Sequence, residues 1–87
     1  MSKSSRKPNV VDVHIAKRVR EARARSGLSQ TEAGAKLGVS FQQLQKYENG
    51  SNRISVGSLF MLSRLYGVPV TWFFQGADAV LDVAEAA

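Results

Sequence analysis

Two serine-led capping signatures stand eleven residues apart in this chain, Ser29 with Glu32 and Ser40 with Gln43, and Gly38 lies between them. A serine at the start of a helix accepts a hydrogen bond from the backbone N–H three residues on, and a glutamate or glutamine there reaches back to the serine N–H. Two starts this close leave room for two short helices and not for one continuous one. Val39 and Leu44 flank the second start as a hydrophobic staple. Gly38 adopts a left-handed conformation without steric penalty, which suits the position just past the end of the first helix and gives a tight turn.

The flanking segments are also helical in pattern. Over residues 12–26 Asp12 offers an N-terminal cap, Ile15, Val19 and Ala22 recur on one face, and Gly27 is the stop. Lys17, Arg18, Arg20, Arg23 and Arg25 crowd the rest of that helix; those near its end complement the dipole, and most are expected to be solvated. Asn49 to Asn52 reads as a polar turn. The next helix, Ser55 to Tyr66, has Val56, Leu59, Phe60, Leu62 and Leu65 as its apolar residues, with Gly67 and Pro69 ending it and opening a short last turn. That turn carries Trp72, Phe73 and Phe74, read as core or as a dimer contact and not as a base-stacking platform. Residues 77–87 are alanine-rich, with Val80, Leu81 and Val83 on a weak apolar face; they form a helix or a frayed tail.

At 87 residues the chain holds one small all-α domain, and such a domain buries about 60–65 % of the surface its unfolded chain exposes. With no cysteine and a single histidine, His14, neither disulfides nor a metal site can supplement helix packing, and no cofactor or metal is expected. No apolar run reaches the about 18 residues that span a bilayer, and the N-terminal residues lack the apolar stretch expected of a secretory signal, so the expected location is the cytoplasm. The formal charge is +5, and because residues 75–87 hold Asp78, Asp82 and Glu85 with no basic group, residues 1–74 carry +8. A field of that sign favours a polyanion. Residues 1–11 read as a flexible basic arm whose Lys3, Arg6 and Lys7 either follow a nucleic-acid backbone or act as a solubilising leader.

The segment from Leu28 to Gly50 resembles the phage-repressor and Cro-type (XRE-like) helix-turn-helix family. The similarity lies in Leu28-Ser29-Gln30, the small pair Ala33-Gly34, Gly38-Val39-Ser40 and the closing Tyr47-Glu48-Asn49-Gly50. With its flanks it covers roughly residues 12–76, including Gly-Val-Pro-Val-Thr-Trp-Phe-Phe near the end. It implies a compact five-helix domain with the helix-turn-helix at helices 2 and 3. Gly34 stands where the family usually has alanine, a loss of about 1 kcal/mol in helix propensity, and is read as permitting close packing. The resemblance also implies that Arg23 pairs with Glu48, locking helix 1 onto helix 3, and that Gln30 contacts a phosphate, as its place in the first turn of a helix favours.

In such a motif the second helix lies in the major groove. Phe41, Gln42, Gln45 and Lys46 are then the base-reading candidates: Gln42, Gln45 and Lys46 share one helical face, while Leu44 and Tyr47 fall on another. Glutamine bonds adenine N6 and N7, and lysine donates to guanine O6 and N7. Phe41 either meets a thymine methyl or shields the turn. Ser40, Asn49, Asn52 and Arg53 join Gln30 as phosphate candidates. The expected function is sequence-specific regulation of transcription, as a repressor binding an inverted-repeat operator of double-stranded DNA as a homodimer. The alternative is a protein-interaction module, such as an antitoxin or an anti-repressor partner. Lacking a phosphate-cradling glycine loop or a convergent carboxylate pair, the chain is not expected to be an enzyme.

Overall fold

The computed structural model describes residues 8–86, so Lys3, Arg6 and Lys7 of the expected arm lie outside the described residues. Five α-helices follow one another, α1 Val10–Ser26, α2 Gln30–Leu37, α3 Phe41–Glu48, α4 Val56–Tyr66 and α5 Ala77–Ala86, with a 3-10 turn Val70–Phe74 between the last two. The fold is all-α, as expected, with no strand among the described residues.

Helix α1 starts earlier than its sequence pattern suggests. Asn9, not Asp12, is the cap: its Oδ1 accepts from the N–H groups of Val11 (2.9 Å) and Asp12 (3.0 Å), while the Asp12 carboxylate accepts from the Asn9 N–H (2.9 Å). Asp12 is thus the reciprocal partner of the box, and Val10 and Val11, read as arm, are helical. The box at Ser29 is complete, and the Ser29 backbone N–H holds the Glu32 carboxyl below its usual range. At Ser40 only half of it forms: Ser40 accepts from the Gln43 N–H at 3.0 Å, and the Gln43 side chain does not return the bond.

The turn between α2 and α3 depends on Gly34 as much as on Gly38. Gly38 takes φ 82°, and both its N–H and that of Val39 bond the Gly34 carbonyl at 2.9 Å. A Cβ at Gly34 would lie 2.9 Å from the Val39 carbonyl oxygen, so the missing methyl is what lets the chain fold back this closely.

Val19, Ala22, Ala33, Leu44, Leu59, Leu62 and Phe73 form the core, with Ile15, Val39 and Tyr47 packed against it. On α4 the buried stripe runs through Leu59, Leu62 and Ser63, with Tyr66 completing the helical spacing. Val56 (87 % exposed) and Phe60 (51 %) fall off its edge and are not core, contrary to the apolar count. Ser63 is buried with its hydroxyl satisfied, donating to the Phe60 carbonyl at 2.6 Å.

The aromatic cluster divides. Phe73 is fully buried, Trp72 meets it edge to face with ring centroids 5.7 Å apart, and Phe74 remains exposed. Arg18, expected to be solvated, lies 3.6 Å over the Trp72 ring and donates to the Trp72 carbonyl through Nε (3.1 Å) and Nη2 (2.8 Å). Helix α5 buries no residue. It rests on α1 beside Val10, Val13 and Val80, and the His14 Nε2–H donates to the Gln75 carbonyl at 2.6 Å just before it begins.

Candidate nucleic-acid interface

Helix α3 is an eight-residue rod with one buried side. Leu44 is fully buried and Tyr47 half-buried, which turns Phe41, Gln42, Gln45 and Lys46 outward into solvent. The side chains of Gln42, Gln45 and Lys46 make no hydrogen bond or ion pair among the described residues, so two amides and an ammonium group stand bare on one surface. Phe41 is 40 % exposed at the helix start.

The far end of the rod is fixed by one carboxylate. Glu48, the last residue of α3, accepts from Arg23 Nε (2.6 Å) and Nη2 (2.9 Å) on α1, and from Gln30 Nε2 (2.9 Å) on α2. Arg23 also donates from Nη1 to the Leu28 carbonyl (3.0 Å). The Glu48 side chain is 3 % exposed and that of Arg23 17 %, so water screens the pair little. The bond to Glu48 raises the Arg23 guanidinium pKa beyond its already high value, against the opposing effect of burial. Three helices therefore meet at a bidentate, charge-assisted contact. The pairing of Arg23 with Glu48 matches the expectation; the bond from Gln30 does not follow from any spacing in the sequence.

Residues 19–73 match the helix-turn-helix family. An uncharacterized HTH-type transcriptional regulator of Sinorhizobium medicae is 43 % identical over 77 residues, 88 % of this chain and 55 % of that protein. The chain belongs to the helix-turn-helix family. It spans about half the length of the curated relatives it matches. Among solved structures, the clp gene regulator ClgR from Corynebacterium glutamicum superposes with a TM-score of 0.76 at 21 % identity, over 91 % of this chain and 86 % of that one, which shows a shared fold. The DNA-binding domain of BldD has a TM-score of 0.67 at 25 % identity, covering 85 % of this chain and 99 % of that one.

Around the helix-turn-helix, the phosphate candidates are placed unevenly. Ser40 is exposed but its hydroxyl oxygen is engaged as the α3 cap, and Gln30 is half-buried with its amide nitrogen turned to Glu48. Asn49 Oδ1 accepts from the Ser51 N–H (2.9 Å) and hydroxyl (2.5 Å), so that oxygen is folded into its own loop. Asn52 is exposed. Arg53 donates from Nε to Asp12 Oδ2 at 2.8 Å, tying the α3–α4 loop to the start of α1 and leaving both terminal nitrogens unbonded among the described residues. Sequence reasoning left Arg20 among the solvated residues. It lies one turn before Arg23 and lines a depression of about 390 Å³ with Gln30, Gln45 and Asn49; that spacing is the signal that could have found it. No described helix is long and apolar enough to cross a membrane.

Proposed function

We propose that this protein is a cytoplasmic transcriptional regulator that binds double-stranded DNA sequence-specifically by inserting α3 into the major groove. The observation that carries the reading is the bare face of Gln42, Gln45 and Lys46 on a helix whose opposite side is anchored by Leu44 and Glu48. Amides and a cation on such a face match the donor and acceptor pattern of base edges, each good bidentate pair discriminating by about 1–3 kcal/mol. The names of its relatives and the match to the DNA-binding domain of BldD support it. Gln30, Ser40, Asn49, Asn52 and Arg53 flank that helix as phosphate contacts, Arg53 through its terminal nitrogens. The chemistry is binding, not turnover.

One recognition helix has a small footprint, so two copies on half-sites about one helical turn apart supply useful affinity, and a homodimer on an inverted repeat follows. Repression by occupying a promoter is the simplest consequence. Of Trp72, Phe73, Phe74 and Leu81, the exposed Phe74 and Leu81 suit the dimer contact, whereas Phe73 is buried and the Trp72 ring lies under Arg18. The alternative, a module that captures another protein, draws on the exposed Leu81 and Val83 of α5.

Selection of bound sequences from random duplexes at stated salt tests the reading. Gln42→Ala is expected to relax preference at one base pair. Arg53→Ala should weaken binding to every sequence and flatten the salt dependence. Identical selection profiles for the parent and Gln42→Ala would reject the role of that glutamine, and a monomer in sedimentation both free and on its operator would reject the dimer.

A further inference from the structure

We propose that Arg20 is a phosphate contact, and that the depression between α1, α2 and α3 seats a backbone phosphate of the DNA that α3 reads. The inference rests on the DNA-binding reading and extends it to a residue outside the helix-turn-helix motif. The depression is lined by Arg20, Arg23, Gln30, Gln45, Glu48 and Asn49. Its chemistry follows from which charges are already spent. Glu48 is matched by Arg23 in a bidentate pair, so these two cancel locally, and Arg20 leaves one net positive charge on the wall.

Lys17 and Arg18 share with Arg20 a second depression on the side of Gln75, and of the α1 cations in the described residues only Arg20 and Arg23 line this one. Arg18 is bound to Trp72 and Glu21, Arg25 stands 5.5 Å over the Trp72 ring, and Lys17 lines the side facing α5. Arg20 is exposed and makes no hydrogen bond or ion pair among the described residues. It shares the depression with Gln45, one of the base-facing side chains, so a duplex whose groove holds α3 brings its flanking strand against that wall. A guanidinium matches two phosphate oxygens with parallel N–H donors, and Arg20 stands on α1, beside the base-facing side of α3 and not on it, where the strand's backbone passes.

The test measures duplex binding against salt concentration for the parent, Arg20→Ala, Arg20→Lys and Arg64→Ala, using a selected duplex and an unrelated one. Arg64 lines a different depression, with Lys36, Phe60 and Met61, and controls for loss of charge alone. Arg20→Ala is expected to weaken both duplexes by a similar factor and to lower the log–log salt slope by about 0.9, the value for one phosphate contact, with base preference kept. Arg20→Lys should retain most of the slope, and Arg64→Ala should match the parent. If Arg20→Ala keeps the parent slope, or if Arg64→Ala loses as much, the proposal is overturned while DNA binding stands. A parent protein that prefers no duplex overturns the underlying reading instead.

Discussion

The junction at Glu48 and the contact that holds α5 represent opposite ways of attaching a helix. α3 has eight residues and buries Leu44 and Glu48, the latter bonded to two other helices. α5 has ten residues and buries none, leaving Val83 71 % exposed, and its neighbouring ties are two exposed bonds to Gln75, from His14 Nε2 to the carbonyl and from Arg18 Nη2 to the side-chain oxygen. A helix that must present a fixed face to a ligand gains from a buried, directional anchor, because ion pairs in low dielectric fix orientation as well as position. A helix resting on a shallow apolar seam keeps freedom to open locally. The bare face of α3 is thus backed by a buried carboxylate bonded to two other helices.

Breaking the anchor should have the largest effect. Glu48→Ala leaves Arg23 without its counter-charge and Gln30 without its acceptor, and a loss of about 3–5 kcal/mol in urea unfolding is expected; a loss below 1 kcal/mol would mean the junction is no anchor. Gly34→Ala tests the turn in front of α3. Alanine gains about 1 kcal/mol in helix propensity, but its Cβ would sit 2.9 Å from the Val39 carbonyl oxygen. A net loss of about 1 kcal/mol is expected, since overpacking costs typically 1–3 kcal/mol, and a more stable variant would show that the backbone relaxes. On the weaker side of the comparison, His14→Ala should raise amide exchange in α5 about fivefold while leaving α3 unchanged, in keeping with one hydrogen bond of about 1 kcal/mol. Equal acceleration in both helices would mean that the two regions unfold together.

Tyr66→Phe is the smallest and sharpens the picture of the junction. The Tyr66 hydroxyl is buried with no partner among the described residues, and its pKa is pushed up to about 12, first by burial and then by the charge of Glu48, with Arg23 opposing. Removing an unpaired hydroxyl should change stability at neutral pH by under about 0.5 kcal/mol, or improve it. The folded state favours the neutral phenol, so the unfolded chain ionises first, and the stability this group contributes falls as pH rises from 10 through about 12. Tyr66→Phe should lose less stability over that window than the parent; parallel curves would reject the shift.

What the sequence determined by itself is local: the starts of α2 and α3 at Ser29 and Ser40, the turn at Gly38, and the division of α3 into a core side and a bare side. Those follow from residues three or four positions apart, where capping and helical periodicity act. A misleading signal is local too: Asp12 precedes the first apolar repeat and reads as the cap, while Asn9 supplies it. The pairing of Arg23 with Glu48 came through family resemblance alone, for nothing in either residue's neighbourhood names the other. Tertiary structure decided the contacts between distant segments: Gln30 on Glu48, Arg53 on Asp12, Arg18 on Trp72, and the exclusion of Val56 and Phe60 from the core. Each depends on which helices become neighbours, and a pattern confined to one helix holds no information about the side chain that another brings to it.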